Sequence, residues 1–343
     1  MAITNYELLD TNNDITTTRT LLHESIPLTG TIVSGTYNDE NIKNYTHGQF
    51  QSVYDYPYLS SSANHIFDIT VGYDEGSPLS GSSGATLEAK KINMYNQFSQ
   101  VLLGFTGSTN DVRKFELDLT LDGAGEMKEA LFLNMSRLTT KDQIKKGTVS
   151  ITLGTGSWAT PFAGTKVLTD ASASATQGTL NTIGGDYGLL YDQASNTAAG
   201  VVFYQSGIAV LSTSSFDGVS DFFSSSAGTL SIAQAFVSSS ITASCDALRH
   251  RLQNLSFNNT TEINSTIYFC RAPHNKYNHS SNPTYLSSST IRVKSVNTDT
   301  PVAYITTVGL YNSNNELLAV AKLSEPLRKD PTNEITLRVR LDY

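Results

Sequence analysis

Potential metal ligands and nucleophiles cluster between residues 270 and 289, where the sequence reads CRAPHNKYNHSSNPTYLSSS. Cys270, His274 and His279 are residue types that bind zinc, and a Cys-His pair can also act as nucleophile and base. Their spacing, C-x3-H-x4-H, matches no common zinc motif, and no fourth ligand is local. A catalytic pair would need an orienting third group and an oxyanion site, and the sequence identifies neither. We therefore expect a polar loop here, with no metal and no catalytic residue.

A second pattern resembles a calcium-binding loop. Positions 1, 3, 5, 6, 9 and 12 of such a loop would be filled by Asp118, Thr120, Asp122, Gly123, Glu126 and Glu129. The segment that leads into it, KFELDLTLDG (114–123), alternates apolar and polar residues, which is typical of a strand and not of an entering helix. We therefore expect a solvated strand face and a turn at Asp122-Gly123, with calcium as the alternative.

A third pattern imitates a dinucleotide fingerprint. Gly154, Gly156 and Ala159 follow the predicted strand VSITLG. Binding of a pyrophosphate would require a helix to begin at those glycines, and Pro161 and Gly164 disfavour that helix. The sequence therefore predicts no nucleotide cofactor, and it suggests no other cofactor.

Composition excludes several classes of protein. The 343 residues are 16% charged, with a net charge of -8, and Ser, Thr, Asn and Gly are abundant. No Lys/Arg cluster of the size that nucleic-acid binding requires is present, and no apolar run approaches a membrane span. Two cysteines, Cys245 and Cys270, make no disulfide framework. The N-terminal residues lack the pattern of a secretion signal, so we expect synthesis in a cytoplasm, without nucleic-acid or membrane partners.

Hydrophobic periodicity predicts a mainly β fold, with β-sandwich-like modules and a few short helices. Residues 65–74 and 114–123 alternate as strands do, and residues 129–138 are the expected partner strand of 114–123. Residues 85–104 carry an apolar helical face. Further helices are predicted at 140–147 and 241–255, and a hairpin turn at 312–315.

Shifts in composition predict four segments. Residues 1–47 form an extended N-terminal arm, and residues 48–147 an α/β module. Residues 148–236 form an inserted Gly/Ser-rich β module, in which Gly184-Gly185 and Ser206-Gly207 separate the strands. Residues 237–343 carry a helix, a C-terminal β module and its hairpin.

Two stretches resemble virion structural proteins. SSNPTYL (280–286) and PVAYITTVGLYNSNNELLAVAKLSEPL (301–327) are similar to attachment modules of phage tail-fibre and baseplate proteins. Further stretches at 21–39, 50–68 and 258–286 resemble virion proteins of contractile-tailed, T4-like marine phages, such as those that infect cyanobacteria. The turn at Ser313 to Asn315 departs from the Asp/Gly more common in fibre modules. A single strand follows the hairpin, which favours a baseplate, neck or connector component over a fibre.

This resemblance implies a structural subunit of a phage tail or baseplate, located in the virion. It would work by protein–protein assembly with other virion proteins and with copies of itself, and not as an enzyme. The resemblance and the expected packing of the hairpin place the assembly interface at Asn282, Pro283, Tyr285, Gly309, Leu310, Tyr311, Leu317 and Leu318.

Two alternatives remain open from the residues. A carbohydrate-binding or adhesin-like β protein would use Trp158 and the tyrosine-rich loops to stack on sugars. A baseplate-associated cell-wall hydrolase would need paired carboxylates across a cleft, and Asp55, Asp186 and Asp192 are the candidates.

Overall fold

The chain divides into two compact units in this computed structural model. The structure describes residues 6–31, 39–81, 84–106, 111–175, 177–225, 228–280, 283–288, 290–292, 296 and 298–343. The first unit, which we call the sheet unit, comprises Leu22–Thr261. The second, which we call the hairpin unit, combines Met1–Leu21 with Glu262–Tyr343. The two units are defined by contacts within the folded chain, whereas the four predicted segments are defined by composition. The four segments therefore stay a prediction.

Strands dominate the described residues. They are β1 (Ile15–Ile26), β2 (Ile42–Asn44), β3 (Gln51–Tyr54), β4 (His65–Tyr73), β5 (Phe115–Glu116), β6 (Glu126–Met127), β7 (Glu129–Met135), β8 (Gln143–Ile144), β9 (Ser150–Gly154), β10 (Thr165–Thr169), β11 (Thr179–Thr182), β12 (Gly185–Asp192), β13 (Ala198–Phe203), β14 (Ile208–Ser212), β15 (Phe223–Ser225), β16 (Gly228–Leu230), β17 (Leu252–Ala272), β18 (Leu286–Ser287), β19 (Thr290–Ile291), β20 (Ala303–Tyr311), β21 (Leu317–Lys329) and β22 (Ile335–Asp342).

The helices are fewer and mostly short. The α-helices are α1 (Ala85–Leu102), α2 (Arg137–Thr140), α3 (Ile232–Ser238) and α4 (Ile241–Arg251). Single 3-10 turns lie at Leu28–Thr31, Asp39–Asn41, Pro161–Ala163, Ala171–Ser174, Thr213–Phe216 and Pro283–Tyr285. The predicted mainly β class with a few short helices is confirmed. None of the described helices has the length and apolar character needed to cross a bilayer.

The sheet unit is built on one antiparallel sheet. Its strands follow the order β17-β9-β10-β12-β13-β14-β7-β4-β3-β2, with β11 beside β12 and β8 beside β17. The neighbouring strands β4 and β7 pair with Val71 opposite Leu131. Side chains alternate between the two faces along each strand. Apolar residues of the sheet pack on one face against α3 and α4, and on the other against α1.

Two apolar clusters form the core of the sheet unit. The larger one joins residues of the sheet with α3 and α4, including Phe236 and Leu248. The smaller one joins other sheet residues, such as Phe132, with Tyr95 on α1 and with Phe115. A sheet buried on both faces explains why β13 and β14 are nearly continuous apolar runs in the sequence.

Gly72 on β4 sets how closely α1 approaches the sheet. A Cβ atom at this position would lie 2.6 Å from the carbonyl oxygen of Lys91 and 2.8 Å from the backbone nitrogen of Tyr95. Both are backbone atoms of a helix, so they cannot turn aside as a flexible side chain would.

We expect Gly72→Ala to lower the free energy of unfolding by about 1–3 kcal/mol, because an overpacked interface must shift a whole helix. Urea denaturation at equilibrium measures the difference. Gly30→Ala is the control, since its Cβ would meet Pro27 only at ordinary contact distance. An equal effect of the two substitutions would contradict the close approach of α1.

The hairpin unit has a small core. In it β22 pairs with β17 over eight residues, with Cys270 opposite Leu337, and β20 pairs with β21 as a separate two-stranded sheet. Neither large apolar cluster includes any residue of this unit. Its buried apolar residues, among those described, are Ile267, Ala272, Val302, Ala303 and Val339.

Most sequence-predicted elements are present, and three are wrong in part. The strand predicted over 114–123 ends after Glu116, and residues 117–125 form a loop. The helix predicted over 140–147 is replaced by β8, because Ile144 is fully buried opposite Asn259 of β17. The helix predicted over 241–255 ends at Arg251, where β17 begins.

Candidate functional site

The hairpin β20–β21 is the first candidate site, since it exposes apolar residues on a separate sheet. Its turn lies where the sequence predicted it: the Asn312 side chain accepts hydrogen bonds from the backbone N–H groups of Asn314 and Glu316, both at 2.9 Å. Asn315 adopts a φ of 63°, a conformation that asparagine tolerates better than most residues. The turn chemistry therefore fixes the register of the two strands.

One side of the hairpin is half-buried and the other is open to solvent. Val308 lies opposite Ala321 and Leu310 opposite Ala319, and all four are half-buried. An irregularity in register at Leu318 leaves Leu317 52% exposed and Leu318 69% exposed. We call the exposed set the hairpin surface, which consists of Tyr304, Tyr311, Leu317, Leu318, Val320 and Leu327.

A buried lysine anchors the base of the hairpin. Lys329, at the end of β21, is fully buried, and its Nζ donates to the side-chain oxygen of Asn278 at 2.7 Å. The same Nζ contacts the backbone oxygen of His274 at 3.4 Å and that of Asp330 at 2.9 Å. The polar loop that follows Cys270 therefore supports the hairpin.

The eight predicted interface residues fall into two groups. Gly309, Leu310, Tyr311, Leu317 and Leu318 lie on the hairpin, and the ring of Tyr311 packs 5.1 Å from that of Tyr6. Of the remaining three, Asn282 lies outside the described residues, Pro283 begins a 3-10 turn, and Tyr285 packs edge-on against His279 at 5.2 Å. Their role in assembly stays a prediction.

The loop 117–125 is the second candidate site, and we call it the carboxylate loop together with Glu116. The carboxylate oxygens of Glu116, Asp118 and Asp122 come within 4.8 Å of one another. Asp118 accepts hydrogen bonds from the backbone N–H and the hydroxyl of Thr120, at 2.9 and 2.7 Å. These local bonds turn the chain away from the strand that alternation predicted.

The carboxylate loop places a buried carboxylate, that of Glu116, beside two other carboxylates. Glu116 is 6% exposed, and its Oε1 accepts a hydrogen bond from the backbone N–H of Gly123 at 3.1 Å. Its Oε2 is buried and has no hydrogen-bond partner among the described residues. Burial first, and then the nearby charges of Asp118 and Asp122, raise the pKa of Glu116.

Apolar residues explain why this loop imitates a strand in sequence. Leu117, Leu119 and Leu121 are partly buried and pack against the smaller core cluster. Leu121 does so with a φ of 54°, which no regular strand contains. The alternation of apolar and polar residues in this segment therefore arises from a loop that packs its leucines on the core, and not from a strand. The sequence pattern found Asp118 and Asp122, and it missed Glu116, which the strand prediction had assigned to the solvated face.

The zinc pattern does not assemble. Within the part of the chain that the structure describes, the ligand atoms of Cys270, His274 and His279 do not come together as a metal-binding group. Cys270 lies in β17, where partial burial raises the pKa of its thiol.

The glycine motif after β9 surrounds a buried arginine. No α-helix begins at Gly154 or Gly156, and their carbonyl oxygens accept hydrogen bonds from Nη1 of Arg251 at 3.1 and 2.8 Å. Arg251 also donates to the carbonyl oxygens of Asp221 at 2.6 Å and Phe222 at 3.1 Å. The motif is therefore a structural binding site for a side chain of the same protein.

Trp158, the sugar-stacking candidate, is engaged within the sheet unit. The ring of His250 stacks on it at 4.2 Å, and the ring of Phe223 packs against it edge-on at 5.6 Å. One face of the indole is thus covered, which weighs against a platform for a sugar.

The three carboxylates considered for hydrolysis are bound locally. They accept side-chain hydrogen bonds from neighbours: Asp55 from Asn64, Asp186 from Lys146 and Asp192 from Ser195. The hydrogen bond from Lys146 holds the pKa of Asp186 below its usual value, whereas a general acid needs a raised pKa.

Comparison with known proteins identified no relative. No family model matches the sequence, and searches of curated proteins and of solved structures found no significant similarity.

Proposed function

We propose that this protein is a structural subunit of a bacteriophage tail or baseplate and works by protein–protein assembly rather than catalysis. The observation that carries the proposal is the contrast, in the hairpin unit, between its few buried apolar residues and its exposed hairpin surface. The resemblance of residues 280–286 and 301–327 to phage attachment modules supplies the class of particle.

An isolated two-stranded sheet is only marginally stable in water. Here β20 and β21 pair with each other and, among the described residues, with no further strand. Their outer edges therefore offer backbone groups to an additional strand, which is a common mode of protein recognition.

The exposed side chains add an apolar component. Leu317, Leu318 and Val320 lie within four residues of β21 and are each more than half exposed. Contiguous exposed apolar patches on soluble proteins mark interaction sites. Burial of these side chains on a neighbouring subunit would stabilise both the hairpin and the assembly.

The anchored base suits this role. Lys329 holds the end of β21 through the loop at His274 and Asn278, so the hairpin is attached at its base and exposed along its length. In a particle, several such contacts per subunit would act together, and high effective concentration would multiply weak individual interfaces.

Incorporation into particles tests the proposal. We expect mass spectrometry of purified virions to find the protein at a fixed copy number. We expect the double substitution Leu318→Glu and Val320→Glu to reduce that copy number at least about 10-fold, because two charges would be buried at the interface without partners.

Leu59→Glu is the matched control, since Leu59 is 85% exposed in the sheet unit. Circular dichroism must show that both variants fold as the wild type does. Absence of the wild-type protein from virions would contradict the location in a particle. Normal incorporation of the double variant would contradict the role of the hairpin surface.

A further inference from the structure

We propose that the carboxylate loop binds a calcium ion through Glu116, Asp118 and Asp122. Their carboxylate oxygens lie within 4.8 Å of one another, which is about twice the length of a calcium–oxygen bond. A single ion placed among them can therefore contact all three.

The second observation is the buried oxygen of Glu116. Glu116 is 94% buried, and one of its carboxylate oxygens accepts a hydrogen bond from the N–H of Gly123. The other, Oε2, is buried with no hydrogen-bond partner among the described residues, although Glu116 belongs to the acidic cluster. Buried carboxylate oxygens are normally satisfied, so an unpaired one within an acidic cluster points to a cation as its partner.

Within the described part of the chain, no basic side chain forms an ion pair with the three carboxylates of Glu116, Asp118 and Asp122. The nearby lysine, Lys114, pairs instead with Asp74 at 3.4 Å and with Glu126 at 3.5 Å. The negative charge of the loop is therefore left for a ligand that comes from solution.

The chemistry of the loop favours calcium over other metals. All ligands are hard oxygens, which suit calcium and magnesium and not zinc or copper. Magnesium demands near-ideal octahedral geometry at short distances, whereas calcium accepts irregular sets of six to eight oxygens completed by water and backbone carbonyls. An irregular loop with carboxylates from positions 116, 118 and 122 fits the calcium requirement.

The ligand set differs from that of an EF-hand. Glu126 is held in ion pairs by Lys114 and Lys128, and Glu129 accepts a hydrogen bond from Ser77. These two residues would fill positions 9 and 12 of a helical loop. In the proposed site, Glu116 at the end of β5 supplies the carboxylate that the glutamate at position 12 supplies in an EF-hand.

Titration of the full-length protein, freed of metal by chelation, tests the proposal. We expect isothermal calorimetry with calcium chloride to give one saturable site with a dissociation constant on the order of 10⁻⁵ to 10⁻³ M. We also expect bound terbium to luminesce on excitation of tyrosine, since the hydroxyl of Tyr187 lies 3.1 Å from the carbonyl oxygen of Asp118.

Glu116→Gln and Asp122→Asn should each weaken calcium binding at least about 10-fold. Glu126→Gln, which removes one nearby charge outside the ligand set, should change it less than about 3-fold. Asp122 is solvent-accessible at the surface, so its variant keeps the test valid if Glu116→Gln fails to fold. Lack of saturable binding by the wild type, tighter binding of magnesium than calcium, or equal effects of all three substitutions would overturn the proposal.

Discussion

Replacement of Arg251 by Met is expected to lower the free energy of unfolding by about 3–5 kcal/mol, because it removes a buried charge from its partners. The guanidinium is fully buried and donates to four backbone carbonyls, and its Nη2 lies 3.6 Å from a carboxylate oxygen of Asp221. Methionine fills a similar volume but leaves those buried carbonyls without donors, and each unsatisfied group costs about 1–3 kcal/mol. Urea denaturation measures the loss.

Arg251→Lys should lower the free energy of unfolding by nearly as much. A single ammonium group cannot reach all four carbonyl oxygens that the planar guanidinium contacts on several sides. Arg137→Met is the control: Arg137 is exposed and donates a single bond to the carbonyl of Gln205 at 2.8 Å. We expect the control to change stability by less than about 1 kcal/mol. Stability of Arg251→Lys equal to that of the wild type would show that the fork is not required.

Stability should rise with pH between about 8 and 10 because of Lys91. This residue is fully buried on α1, and burial lowers its pKa to about 8. Its Nζ donates to the carbonyl oxygens of Phe236 and of Ser239, the latter at 2.8 Å. Above pH 8 the folded protein loses this proton while the unfolded chain keeps it up to about pH 10.4, so folding is favoured as the pH rises.

The comparison with Lys91→Met isolates this contribution, since other groups titrate equally in both proteins. We expect the wild-type free energy of unfolding to gain about 2 kcal/mol over the variant between pH 7 and pH 10. Chemical denaturation at pH 7, 8, 9 and 10 gives the difference. Parallel curves for the two proteins would mean that Lys91 keeps an ordinary pKa in the folded state.

Hydrophobic periodicity predicts the elements that have an apolar face or run of their own. The helix α1 and the strands β4, β12, β13 and β14 are present near their predicted positions, because each has a continuous apolar face or run. The turn at Asn312 was also predictable, since its side chain determines the local backbone.

Other features depend on contacts that are distant in sequence. The buried partners of Arg251 lie about 30 and 95 residues away, so no local pattern distinguishes it from its exposed neighbours. Likewise, the alternation at Leu117, Leu119 and Leu121 predicts a strand, and only the surrounding core makes it a packed loop. The strand prediction therefore places Glu116, which completes the acidic cluster, on the solvated face.

The hairpin unit is discontinuous in sequence, and this has a consequence during translation. Its N-terminal part, residues 6–21, leaves the ribosome well before residues 262–343 exist. Strand β17 receives its partner β22 only when the ribosome has passed Ile335. The sheet unit can therefore fold while the nascent chain is still growing, whereas the hairpin unit can complete its pairing with β17 only after β22 has been synthesised.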